Sequence, residues 1–248
     1  MKRRIRILTC ILLLAVLCGG CTEKQSPEPG RTREKPADRR IDVGQYGYTV
    51  KEVLSYFMEV ALAAEYSRGN ENNFIKKWLV PVSVRVTGTY DEDDLLLMRE
   101  LFAQLNAVEG FPGISECPED ETPNCLIRFM PPGDYVYYSA QATGEIETAG
   151  YSLIYYTNGA ITRAEIGIRD DLTRSNRNHV ILEEIVQSLG IQNDSYSYPD
   201  SLFYQGYNEP QRPSDLDWLL VRLMYREEIL PAMSAEDVRS VAPTLLRE

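Results

Sequence analysis

The 248-residue sequence predicts an α/β (α+β) domain, a mixed twisted sheet of about four strands packed on helices, with a motif-bearing helix and a C-terminal helix. Three observations predict it. Segments with apolar residues at helical spacing alternate with segments whose apolar residues recur at every second position. Two of the latter are joined by Asn158-Gly159, a pair suited to the positive-φ positions of a tight hairpin. These periodic segments all lie within residues 45–248, a length suited to one domain.

Residues 49–68 place Val53, Leu54, Phe57, Val60, Ala61 and Ala64 on one helical face, and Thr49 with Glu52 forms a capping box at its start. Residues 78–86 alternate with Val80, Val82, Val84 and Val86 on one side, a strand in which Pro81 marks an early or edge position. Residues 91–108 form a second helix, with acidic residues in the first turn and Leu95, Met98, Leu101, Phe102 and Leu105 facing inward. Strands follow at 125–130, 151–157 and 162–169. Residues 177–189 form a third helix, apolar at Ile181, Leu182, Ile185, Val186 and Leu189 and ended by Gly190, which takes the left-handed exit. A Tyr- and Pro-rich loop at 196–204 precedes the last helix, 214–225, capped by Ser214. Tyr135, Tyr137, Tyr138, Tyr151, Tyr155 and Tyr156 are read as strand packing, in preference to a carbohydrate platform.

The N-terminus points outside the cytoplasm. Met1-Lys2-Arg3-Arg4-Ile5-Arg6 is a basic region, residues 7–17 are apolar, and Cys18-Gly19-Gly20-Cys21 follows. The stretch is too short to span a bilayer. It is expected to be a lipoprotein signal, residues 1–20, with Cys21 as the lipidated residue; ordinary secretory cleavage near Gly20 is the alternative. Residues 22–44, with Pro27, Pro29 and Pro36 among mixed charges, are expected to be a disordered tether.

The chain holds 26 basic and 37 acidic residues, a net charge of −11. Four of the basic residues lie in the first 20, so 22 against 37 remain after cleavage, a net of −15. Phosphate backbones are bound through basic faces, so no nucleic-acid partner is expected. Cys117 and Cys125 flank a polar, turn-rich segment and are expected to form a disulfide. Two thiols alone do not complete a zinc site.

Glu183-Glu184-Ile185-Val186-Gln187-Ser188-Leu189-Gly190-Ile191-Gln192-Asn193 has the layout of the metzincin motif H-E-x-x-H-x-x-G-x-x-H. Glu184 holds the general-base position and Gly190 the glycine, while the three zinc positions read Glu183, Gln187 and Asn193. The one histidine, His179, lies outside the pattern. Glu183 and Gln187, four apart, share a helix face, with Glu184 one position round. Three readings stand: a hydrogen-bonded network of Glu183, Gln187 and Asn193 in the old metal cavity; a weak Ca²⁺ site built from one carboxylate and two amide oxygens; or Glu184 as general base of a hydrolase, with Glu183 as its partner. No zinc and no cofactor are expected.

From here the chain resembles a known family, the bacterial domain of unknown function 2927, over roughly residues 50–240. The resemblance is carried by Phe74-Ile75-Lys76-Lys77-Trp78 leading into Pro81-Val82-Ser83-Val84, by the Glu183–Gly190 run continuing to Asn193-Asp194, and by Asp200-Ser201-Leu202-Phe203. Asp217-Trp218-Leu219-Leu220-Val221-Arg222-Leu223-Met224-Tyr225 and Leu230-Pro231-Ala232-Met233 complete it. The family is similarly E-E-x-x-Q-x-L-G and carries no assigned activity; Ala232 stands where a Gly is expected. The likeness to metzincins extends further. Ser201-Leu202-Phe203 sits where a Met-turn would lie, with Phe203 at the Met position, and Asp215-Leu216-Asp217 to Tyr225 matches the closing helix.

The resemblance implies a zincin/metzincin-like domain without its metal and catalytically degenerate; the N-terminal segment implies that lipidated Cys21 holds it on the outer face of a bacterial membrane. Zincins bind extended peptide along a sheet edge. The expected function is therefore binding or scaffolding of a peptide or envelope-protein partner, by strand addition between the 151–157 strand and the 183–193 helix. The alternative is an extracytoplasmic hydrolase using Glu184.

Overall fold

The computed structural model describes residues 38–62, 73–142 and 148–248. The expected signal segment, Cys21, the tether up to residue 37 and the first helix beyond Leu62 lie outside the described residues. The folded unit runs from Arg39 to Glu248. It starts before the expected boundary at residue 45, because β1 (Ile41–Asp42) pairs in parallel with the last strand, β8 (Leu246–Arg247), and Val43 is fully buried.

α1 (Val50–Leu62) opens at the expected capping box: Thr49 N–H donates to Glu52 Oε2 (2.8 Å) and Glu52 N–H to Thr49 Oγ1 (3.2 Å). The next segment corrects the sequence reading. Residues 78–86 form two strands, β2 (Lys77–Trp78) and β3 (Val82–Gly88), in different places in the sheet. Between them Leu79 and Val80 are exposed and Pro81 has no N–H to give a ladder, so the alternation of valines continues across a break in pairing.

α2 (Glu92–Asn106) follows, then β4 (Ile114–Glu116), β5 (Cys125–Met130), α3 (Pro132–Ala142), β6 (Gly150–Thr157), β7 (Ala160–Arg169), α4 (Arg174–Gln187), α5 (Asp215–Met224) and α6 (Ala235–Val241). The main sheet has six strands, two more than expected, the additions being the short β2 and β4. β4, β3, β5 and β7 run side by side in parallel. β2 and β5 share one flank of β7, at Ala160–Ile161 and Ala164–Arg169 respectively. β6 takes the other flank, antiparallel, through the hairpin at Asn158-Gly159, whose φ values of 49° and 75° are those the turn requires.

One face of the sheet, carrying Val84, Ile127, Ile166 and Ile154, packs on the helices as the main core. Met130 and Tyr151 project to the other face, where Tyr135 of α3 completes a small separate cluster. Tyr135, Tyr137 and Tyr138 thus lie on a helix, a second correction, whereas Tyr151, Tyr155 and Tyr156 are on β6 as read.

The structure also corrects the disulfide. Cys117 and Cys125 are free thiols. Cys117 follows β4, its N–H donating to Val84 O at 2.7 Å, and Cys125 on β5 is paired with Val84 from the other side. β3 therefore lies between them. Two strand spacings are about 9–10 Å, against a limit of about 7 Å for bridged Cα atoms. The turn-rich segment between them passes over Arg85 in the middle of β3, whose Nη2 donates to Pro118 O (2.7 Å) and Glu121 O (2.8 Å); it does not bring its own ends together. Burial pushes the Cys125 thiol up to about 12.

Candidate functional site

The site is built on α4. Thr173 caps it, accepting from Asn176 N–H, and Arg177 anchors its first turn. Arg177 Nη2 donates to Asp94 Oδ2 (2.6 Å) and Nε to Oδ1 (2.9 Å), and its guanidinium lies 4.4 Å from the Phe129 ring centre. Burial alone would raise the Asp94 carboxyl; hydrogen bonds from Arg177, the Asp91 N–H and Arg174 outweigh it and hold the group below the usual carboxylate range. The start of α4 is thereby fixed to the start of α2.

Glu184 points into the structure and is only 5% exposed. It packs under the first residue of β6: a Cβ added to Gly150 would lie 2.5 Å from Glu184 Oε1 and from Val180 Cγ1. Tyr135 is close by. Burial raises its phenol to about 12, with the Glu184 charge adding to the effect, and its hydroxyl meets Thr148 Oγ1 at 2.7 Å. Neither Gly150 nor Tyr135 was marked by the motif. A glycine opening a strand was the available signal, since it marks close approach by a neighbour.

Glu183, Gln187 and Asn193, the residues read against the zinc positions of the metzincin pattern, find their partners in His179, in Asp194 and on α1. Glu183 lies 3.4 Å from His179 Nε2, one turn back. Burial lowers the His179 pKa, against the raising effects of the Pro210 backbone and Glu209. Gln187 Nε2 donates to Asp194 Oδ1 at 2.9 Å. Asn193 Nδ2 donates to Glu59 O (3.1 Å) and Asp194 O (2.9 Å), and its N–H to Val60 O (3.0 Å), which fastens it to the end of α1. Hydrogen bonding does organise Gln187 and Asn193, but through Asp194 and α1 carbonyls. Among the described residues no group of three or more His, Cys, Asp or Glu is placed to hold a metal ion.

Around α4 the remaining motif residues act as struts. Gly190 has φ 111°, and a Cβ there would lie 1.9 Å from Lys76 O. Trp78 Nε1 donates to Ser188 O (2.9 Å) and Tyr225 Oη to Leu189 O (3.0 Å), so β2 and α5 hold the helix exit from two sides. Ser201 Oγ donates to Asp217 Oδ1 (2.5 Å) and accepts from Tyr56 Oη (2.8 Å) and Phe203 N–H (3.1 Å). Asp217 Oδ2 accepts from Leu202 N–H (3.1 Å) and Ser214 N–H (2.7 Å). Leu202 and Phe203 are fully buried. Burial raises the Asp217 carboxyl against these hydrogen bonds.

The family model described as protein of unknown function (DUF2927) matches residues 51–244. The chain belongs to the DUF2927 family. No match is found among curated proteins. The segments that carried the DUF2927 resemblance prove to be contact partners: Lys76 meets Gly190, Trp78 meets Ser188, Asp217 meets Ser201 and Leu202, and Ile75 exchanges backbone hydrogen bonds with Ala232 and Met233. Ala232, where the DUF2927 pattern suggests Gly, has φ 63°, so the departure places a Cβ in the left-handed region.

Proposed function

We propose that this chain is an envelope lipoprotein whose degenerate zincin-like domain binds an extended peptide, without catalysis, by strand addition to β6. The observation that carries the reading is the position of β6. It is an eight-residue edge strand, paired only with β7 among the described strands, and the motif helix α4 packs against its start. An edge strand offers unpaired backbone donors and acceptors to an incoming chain. A run of parallel strands ending in an antiparallel edge strand beside the motif helix suits a zincin-like layout, with the Ser201 turn and α5 behind. Glu184 is spent on packing under Gly150, and the amides of Gln187 and Asn193 are spent on Asp194 and the α1 carbonyls; this favours binding over hydrolysis with Glu184 as base. Cys21 and the polar segment after it would hold the domain at the membrane surface.

The test is capture from detergent-solubilised envelopes with the folded domain, beside a tether-only control. Lysines on an edge strand oppose strand addition, so a Leu153→Lys/Tyr155→Lys variant is expected to lose the captured partner. Equal recovery by the variant, or nothing above the control with the parent domain, would remove the reading.

A further inference from the structure

Where the folded unit begins, Arg39 and Arg40 meet Arg222 and Arg226 from α5 and its C-terminal extension, and Arg247 of β8, around a cavity of about 480 Å³. Five arginines line it in a chain whose net charge is −11. Asp42 and Glu109 line the same cavity. Glu227 and Glu228 reach Arg39 (3.3 Å) and Arg226 (3.3 Å), so five positive groups face four negative ones. The pairs made by Arg39 are largely exposed, with side chains 58–70% accessible, and such pairs are weak enough to exchange for another anion. Arg226 is different. Its side chain is 7% exposed, Nη1 donates to Arg39 O (3.1 Å), and its buried Nε has no hydrogen-bond partner among the described residues.

We propose that this cavity binds a phosphate group, with Arg226 as the fixed fork and Arg39 and Arg40 as exchangeable donors. Arginine forks match phosphate oxygens two at a time, and Arg226, fixed by Arg39 O and Glu228, keeps its place in the cavity wall while the exposed pairs around it exchange. The acidic body of the chain disfavours contact with an anionic surface as a whole; a cavity admits one headgroup. The phosphate has two possible sources, a phospholipid headgroup or a soluble phosphate ester. The headgroup source rests on the tether reading, since Arg39 and Arg40 lie beside the segment that would lead to Cys21. The anion site itself does not depend on it.

The experiment uses the chain from residue 22 onward, titrated with inorganic phosphate and glycerol 3-phosphate while the arginine Nε–Hε resonances are followed. Flotation with vesicles of phosphatidylcholine alone, or mixed equally with phosphatidylglycerol, runs in parallel. Phosphate is expected to move the Arg226 signal. Arg39→Ala/Arg40→Ala, both at the surface, should weaken binding by about fivefold per guanidinium removed. Arg226→Lys, which keeps charge and loses the fork, should weaken it further. Binding to the mixed vesicles that glycerol 3-phosphate competes away supports the headgroup source; phosphate binding without vesicle binding supports a soluble one. An Arg226 signal unmoved at tens of millimolar phosphate, or affinity unchanged in Arg39→Ala/Arg40→Ala, overturns the site, and either result leaves the β6 reading standing.

Discussion

Gly150 and Ala232 are the two positions at which a single Cβ decides most. At Gly150 the added carbon meets Glu184 and Val180 side chains, which must move. Gly150→Ala is expected to lower stability by about 1–3 kcal/mol, as overpacking does, measured by urea unfolding. Combining it with Glu184→Ala should recover part of the loss, a non-additivity that a Glu184 pointing to solvent would not produce. Ala232 presents the opposite case. Its left-handed backbone costs a non-glycine residue about 1–2 kcal/mol, and glycine gives back about 0.4–1 kcal/mol through unfolded-chain entropy. Ala232→Gly is therefore expected to raise the unfolding midpoint slightly, and a fall would show that the Ala methyl packs usefully. The sequence flagged Ala232 only through the family pattern; its φ explains why glycine suits the place.

At the scale of elements, capping chemistry was legible and pairing was not. The Ser214 and Thr49 caps and the Asn158-Gly159 hairpin stand where the sequence put them, because each is settled within three or four residues. α3 was missed: Pro132 opens it, a position at which a helix tolerates proline, and three tyrosines with strand preference follow, of which only Tyr135 is buried. The join between α2 and α4 was equally invisible, since it sets Asp94 against Arg177 across 83 residues. Arg177→Met leaves Asp94 fully buried with Arg174 as its remaining guanidinium partner. The expected loss is about 3–5 kcal/mol, that of breaking a buried pair on one side, and Asp94→Asn in the same background should reduce it. Equal loss in single and double variants would mean that Arg177 acts through packing on Phe129 alone.

For the whole molecule, two adjacent buried lysines set a pH dependence. Burial lowers both Lys76 and Lys77 to about 8, against about 10.4 for a free lysine. Between these values the unfolded chain binds more protons, so stability rises with pH; below 8 both states are protonated and the slope vanishes. The gain from pH 8 to 9 is on the order of 1 kcal/mol per lysine. Above pH 9 it is opposed by the raised Cys125 thiol and then by raised Tyr56, Tyr135 and Tyr225, which ionise more easily once unfolded. Unfolding midpoints measured at pH 7, 8 and 9 should be flat and then rise. A rise that survives Lys76→Met/Lys77→Met would assign it to other groups.

The sequence by itself determined the helices and strands that carry their own caps, turns and periodicity, and the segments, Glu183–Asn193 among them, that carried the DUF2927 resemblance. These are local matters, settled by side-chain chemistry within a turn or two of backbone. Only the tertiary structure decided that residues 78–86 divide between two places in the sheet, and that β3 stands between Cys117 and Cys125. It alone turned Glu183, Gln187 and Asn193 toward His179, Asp194 and α1. Strand order, and the partner a buried polar group finds, depend on which distant segments cross the same few ångströms; a spacing along the chain carries no record of that.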